Sequence, residues 1–266
     1  MVDTHAHLTS PKYINIKKVI GDAKKEGVTK IVTIGISVLD SKENIKIAER
    51  FPNVFASVGI YPHDNENKNC RLDSLFGRLE ILAKHPKVVA IGECGLDFAN
   101  PAPYEKKRSK SEQEKIFQFQ INLSKKIKKP LIIHSRLAAK ETFKMLALNF
   151  KPKTYEYIPG TWHSFVDDLK TAQQIINLGF FISFNGIITY KNGETVHPAV
   201  KGIPLNKILI ETDSPYLTPE PIRNKVKLNE PKYVKLIAKE IARIKQNPLS
   251  IIKKQTTSNS CALFNI

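Results

Sequence analysis

The sequence predicts a (β/α)8 TIM barrel, a single domain spanning 1–266, with a metal site at the C-terminal ends of its strands. Three observations point there. Eight short β-rich runs alternate with longer amphipathic segments along the chain, the pattern of parallel strands joined by helical crossovers. Several runs are continuous apolar stretches, as strands buried on both faces require. The unusual polar residues fall at the ends of these runs, where a parallel barrel keeps its chemistry. An open doubly wound sheet is the main alternative. No GxGxxG or GxxxxGKS/T turn follows any run, so the usual nucleotide-cofactor motifs are missing.

The elements follow in order. MVDTH opens strand 1, and NIKKVIGDAKKEG carries the first helical period, ending at Gly27 as its C′ residue. KIVTIGI is strand 2, followed by SKENIKIAERF with Ser41 as N-cap. VFASVGIYP is strand 3, followed by LDSLFGRLEILAKH with Asp73 as N-cap. VVAIGECGLD is strand 4, and SEQEKIFQFQINLSKKIKK starts its helix at Ser111. PLIIHSR precedes LAAKETFKMLALNF, and YIPGTWHSF precedes DDLKTAQQIINLG, bounded by Asp167 and Gly179. GFFISFNGII and KILIETDSPYL are strands 7 and 8. Two last helices, around EPKYVKLIAKEIARIKQ and PLSIIKKQTTSNSCALF, complete the chain.

Composition narrows the function classes. With 41% hydrophobic residues among 266, the chain can bury a sizeable core. It has no apolar run of membrane-spanning length, and VDTHAHL lacks the pattern of a signal peptide. Three cysteines, Cys70, Cys94 and Cys261, are an odd number without CxxC spacing. They predict reduced thiols in a cytoplasmic protein, with neither a disulfide framework nor a Cys-based zinc site. The net charge of +17 would attract polyanions. Only seven of the 42 cationic residues are Arg, so much of that charge reads as lysine on solvated helix faces. No membrane association is expected, and a monomer is the expected state.

Histidines and carboxylates carry the site. His5 and His7 are two apart on a strand and share a face with Asp3. His63 follows strand 3 in GIYPHD, and Glu93 ends strand 4 in IGECGLD. His134 ends strand 5 in IIHSR, His163 ends strand 6 in TWHSF, and Asp213 ends strand 8 in ETDSP. Any one of these is more often a packed or solvent-lapped residue; several on one rim are not independent accidents. His85, closing a helix, and His197, in a loop, are the controls and read as structural or exposed. Four imidazoles and two carboxylates exceed the three protein ligands of a catalytic tetrahedral ion. A carboxylate shared by two divalent ions accounts for the surplus, and N and O donors suit Zn, Mn or Mg.

These residues resemble the TatD family of metal-dependent deoxyribonucleases, within the amidohydrolase superfamily of TIM barrels. DTHAH, GIYPHD, IGECGLD, KKPLIIHSR, ETDSPYLTPEP and RNKVKLNEP stand in the family's order across the whole chain. The resemblance implies that His5, His7 and Asp213 ligate one ion, that Glu93 bridges, and that His134 and His163 hold the second. It implies a two-metal phosphodiesterase acting on DNA from the 3′ end, with Asp213 accepting the proton of the attacking water. Arg136 and Arg223 are the expected phosphate contacts, and His63 binds the phosphate or leaving group. Two features depart from the family. WHSFVDD replaces the usual HCFSG, placing Asp167 where glycine is normal, and Tyr61 stands where the family often has His. RNA is a possible substrate, D-aminoacyl-tRNA deacylation is a rival activity on the same metal site, and a non-catalytic nucleic-acid binder is the remaining rival.

Overall fold

The computed structural model describes residues 1–64, 71–102, 105, 107–151 and 157–266; Cys70 lies outside them. Eight strands form one parallel sheet in sequence order: β1 (Val2–Ala6), β2 (Lys30–Thr33), β3 (Val54–Val58), β4 (Val88–Asp97), β5 (Leu131–Arg136), β6 (Gly160–Trp162), β7 (Phe181–Phe184) and β8 (Ile208–Ile210). The ring closes where β1 meets the segment after β8. Ala6 bridges Ser214 in parallel, His5 O accepts from Asp213 N at 2.9 Å, and His7 N donates to Ser214 O at 2.8 Å. The result is the (β/α)8 barrel that the alternation predicts.

Helices α1 (Ile16–Lys25), α2 (Val38–Arg50), α3 (Leu72–Ala83), α4 (Lys110–Ile127), α5 (Ala139–Asn149) and α6 (Leu169–Asn177) follow the first six strands. Three-ten turns and the short α7 (His197–Gly202) connect β7 to β8, and α8 (Val234–Lys245) and α9 (Leu249–Phe264) end the chain. His197 therefore begins a helix rather than lying in a loop, and its Nε2 stands 2.8 Å from the Ile188 carbonyl. Alternation along the strands divides the core. Ile31 of β2 packs outward with the helices, while Val32 joins Ala90, Ile132, Phe181 and Leu209 in a second cluster. Ile34, with Leu263 and Phe264 of α9, completes that cluster.

Four helix starts differ from the sequence reading. The N-cap of α2 is Ser37, that of α3 Arg71, that of α4 Ser109 and that of α6 Asp168. Helices α2, α3 and α4 begin closer to their strands than the sequence placed them, and α6 begins one residue later. Ser41 instead lies buried within α2, where its hydroxyl accepts from Gly59 N. Gly27 and Gly179 do occupy left-handed C′ positions, at φ +81° and +98°.

Part of the lysine excess is structural. The Lys87 ammonium donates to the Pro52 and Val54 carbonyls, Lys129 to those of Ala83 and His85, and Lys245 to those of Lys201 and Ile203. Burial pushes all three ammonium groups below their ordinary pKa. Among the described residues, no helix is long and apolar enough to cross a membrane.

Candidate metal centre

Sheet pairing stops short of most of the polar residues that the sequence placed at strand ends. His7 and His163 lie one residue beyond β1 and β6, Asp213 three beyond β8, and His63 five beyond β3. Glu93 is the opposite case, lying inside β4 rather than at its end. Freed from the ladder, the backbone turns sharply: Leu137, Ser164 and Asp213 take φ values of 52°, 49° and 53°, a left-handed conformation that is costly for most side chains. Gly95 meets a different demand at φ 142°. A Cβ there would collide with the His134 carbonyl on the adjoining strand, so only glycine lets β4 and β5 approach at this height.

Six predicted ligands converge. His5 Nε2 and His7 Nε2 stand 3.3 Å apart. Asp213 Oδ1 lies 3.5 Å from the first and 3.2 Å from the second. Glu93 Oε2 lies 3.5 Å from His5 Nε2 and 3.9 Å from His7 Nε2. The other Glu93 oxygen, Oε1, lies 2.8 Å from His134 Nδ1 and 3.3 Å from His163 Nε2. One carboxylate thus divides its two oxygens between two imidazole pairs.

This donor set fits divalent cations. Among the described residues, every ion pair of Glu93 and Asp213 is with histidine; no lysine or arginine neutralises them. His5, His7 and Glu93 form one group able to hold an ion, and Glu93, His134 and His163 another. A third group, His5, His163 and Glu211, is spatially compact but chemically committed. Glu211 Oε1 is 3.0 Å from His163 Nδ1 and accepts from Ser164 N, while Oε2 accepts from Ser183 Oγ at 2.6 Å.

The carboxylates and imidazoles shift one another's proton affinities. Burial opposes ionisation of Glu93, but the His163 charge and hydrogen bonds from His134, His163 and His5 hold it well below the carboxylate range. Burial would likewise lower His163, yet Glu211 and Glu93 raise it well above its ordinary value. His134 is raised against burial by Asp97 and Glu93, and His7 by Asp213. His5 moves the other way, lowered by burial and by His163. A metal entering this cluster must displace protons from the raised histidines.

Asp97, Glu211 and Tyr61 support the predicted ligands through contacts that the sequence did not assign. Asp97 Oδ2 lies 3.0 Å from His134 Nε2 and accepts from the Tyr61 hydroxyl at 2.8 Å. With the Nε2 proton directed to Asp97, Nδ1 of His134 is the atom left to ligate. Glu211 does the same for His163 from the opposite ring nitrogen. Both carboxylates were visible within motifs already quoted, Asp97 in GLD and Glu211 two residues before Asp213. Period-two spacing could have flagged the latter. Asp97→Asn is expected to weaken metal binding at the Glu93–His134–His163 group about 10–100-fold. Metal titration of the purified variant checks this, and unchanged affinity would remove Asp97 from the role.

His63 is buried with its ring 6.3 Å from that of Tyr61, whereas Tyr61 packs on His134 at 4.9 Å. Arg136 is exposed at the end of β5, paired in register with Asp97. Arg223 is exposed too, its guanidinium 4.1 Å from the Tyr190 ring centre. Asp3 does not join the cluster: it accepts from Thr212 N, Thr212 Oγ1 and His5 N, and burial pushes its carboxyl up to about 8. Asp167 is half-buried, and its replacement of the family's glycine leaves His163 in place. His85 stays outside, 3.2 Å from Glu49.

The comparisons agree with this geometry. A family model described as TatD related DNase matches residues 2–265. An uncharacterized metal-dependent hydrolase of Buchnera aphidicola subsp. Baizongia pistaciae is 37% identical, covering 100% of this chain and 96% of its own length. A 3′-5′ ssDNA/RNA exonuclease TatD of Edwardsiella piscicida is 30% identical, with 100% of each chain covered. Among solved structures, the TatD homologue YjjV of Escherichia coli superimposes with a TM-score of 0.87 at 23% identity, covering 100% of this chain and 98% of that one.

Proposed function

This chain belongs to the TatD related DNase family of metal-dependent hydrolases, and from that premise we propose that it hydrolyses DNA phosphodiester bonds from the 3′ end. The observation that carries the two-ion reading is the division of Glu93, with Oε2 toward His5 and His7 and Oε1 toward His134 and His163. His5, His7 and Asp213 would hold one divalent ion, His134 and His163 the other, and Glu93 both. Mg, Mn or Zn in these positions would lower the pKa of a water and stabilise charge on the phosphate oxygens.

The chain's own residues supply the rest. Asp213 is held below the ordinary carboxylate range against burial, chiefly by a hydrogen bond from His7 and the charge of His5. It stays ionised at neutral pH and accepts the proton of the attacking water. Asp97 and Glu211 keep the rings of His134 and His163 oriented. Arg136 and Arg223 provide charge-assisted bonds to the phosphate backbone, with His63 contacting the phosphate or the leaving group. The surplus of 42 cationic over 25 acidic residues would draw a nucleic acid toward the rim.

Chelation is expected to abolish hydrolysis of an end-labelled oligonucleotide while the thermal transition of the barrel survives. The apolar core does not depend on the ligands. Readdition of a divalent ion should restore turnover and release protons. Full turnover in excess chelator, with no protein-bound metal, would overturn the assignment. Running a D-aminoacyl-tRNA in parallel separates the rival ester hydrolysis, since a preference for that substrate would transfer the site to deacylation.

A further inference from the structure

Three of the exposed apolar side chains follow metal ligands at one spacing. Three residues beyond His134, His163 and Asp213 stand Leu137, Val166 and Tyr216, with 80%, 47% and 44% of their surface exposed. Scattered exposed apolar residues need no explanation. The same spacing after three ligands, on three separate strand exits, does.

Tyr216 is the most informative of the three. Its ring centre lies 5.8 Å from that of His7, edge to face, and Lys12 Nζ lies 4.7 Å from the ring centre. Its backbone is held firmly. Tyr216 N donates to Asp213 O at 2.9 Å, and Tyr216 O accepts from the side chain of Asn229. Asn229 is itself fully buried and also donates to Thr212 O at 2.9 Å. The held backbone therefore presents a partly exposed aromatic ring close to a metal ligand, with a cation over one of its faces.

We propose that Tyr216, with Lys12 over one face of its ring, forms a base-stacking subsite on the other face for the nucleotide whose phosphate meets the metal centre. The inference rests on the phosphodiesterase reading and adds a recognition element to it. A base offers a π face to the tyrosine, and the neighbouring phosphate offers an anion to the lysine. Such a platform takes any base, because every base has a π face, and it needs that base unstacked from a partner strand. An uncharged apolar substrate would leave Lys12 without a counterpart.

The test uses two phosphates that differ only in the base, thymidine 5′-monophosphate and 2-deoxyribose 5-phosphate. Their binding to the metal-loaded protein is measured by calorimetry, alongside hydrolysis of an end-labelled single-stranded oligonucleotide. The parent protein is expected to bind the nucleotide about tenfold more tightly than the sugar phosphate. Tyr216→Phe should keep that ratio, while Tyr216→Ala and Tyr216→Leu should bring it close to one by weakening the nucleotide alone. The leucine variant keeps an apolar side chain, so it still answers the question if the alanine variant folds poorly. Equal binding of both phosphates by a parent that hydrolyses the oligonucleotide overturns the subsite alone. A preference that survives Tyr216→Leu does the same. A parent that binds neither phosphate and leaves the oligonucleotide intact overturns both the subsite and the phosphodiesterase reading.

Discussion

Asp213→Asn is expected to lose about 10²–10⁴-fold in turnover, the range of a general-base contribution, while keeping much of its metal. The amide retains an oxygen near Oδ1, which lies 3.2 Å from His7 Nε2 and 3.5 Å from His5 Nε2, and it preserves the side-chain volume. What it removes is the charge and the basicity. The backbone should tolerate the change, because asparagine adopts the left-handed conformation found at Asp213, φ 53°, as readily as aspartate does. Metal content and turnover measured on the same preparation check the expectation. Parental turnover with normal metal content would show that Asp213 is not the base.

Glu93→Ala should act on both ions together, and more severely than any other single change at the ligands. Loss of an outer partner typically costs about 10–100-fold in affinity. Removing Glu93 takes an oxygen from each side of the cluster, so the loss should exceed that range at both sites. It also removes one of the two carboxylates that raise each of His134 and His163 against burial, beside Asp97 for the first and Glu211 for the second. By contrast, His5→Ala and His7→Ala should deplete the Asp213-side ion before the other, since both histidines pair with Glu93 through Oε2 and with Asp213. Metal counts on the three purified variants distinguish these patterns. Loss of only one ion from Glu93→Ala would rule out the bridging role.

Much of this architecture is legible in the sequence alone. Strand runs such as LIIH and ILI are apolar because both faces are buried, and that requirement acts locally, so it is written in consecutive residues. The HxH pair is legible for the same reason: period two places His5 and His7 on one side whatever the rest of the chain does. The helix starts were less legible. Ser41 looks like a cap in one dimension, and only packing shows its hydroxyl turned to Gly59.

The roles around the metals were decided by tertiary structure. No local pattern states that the two oxygens of Glu93 separate, because that depends on β1, β4, β5 and β6 meeting at one height around a closed ring. Asp97 and Glu211 are ordinary acidic residues until strand register sets one against His134 and the other against His163. Tyr61 gains its place because its hydroxyl reaches Asp97, while His63, two residues on, is buried beside it. By itself, then, the sequence determined the order of elements and singled out the candidate ligands, since side-chain chemistry and strand periodicity are local. Closure of the barrel decided which atoms of those ligands face one another, because distances between strands remote in sequence exist only once the ring is complete.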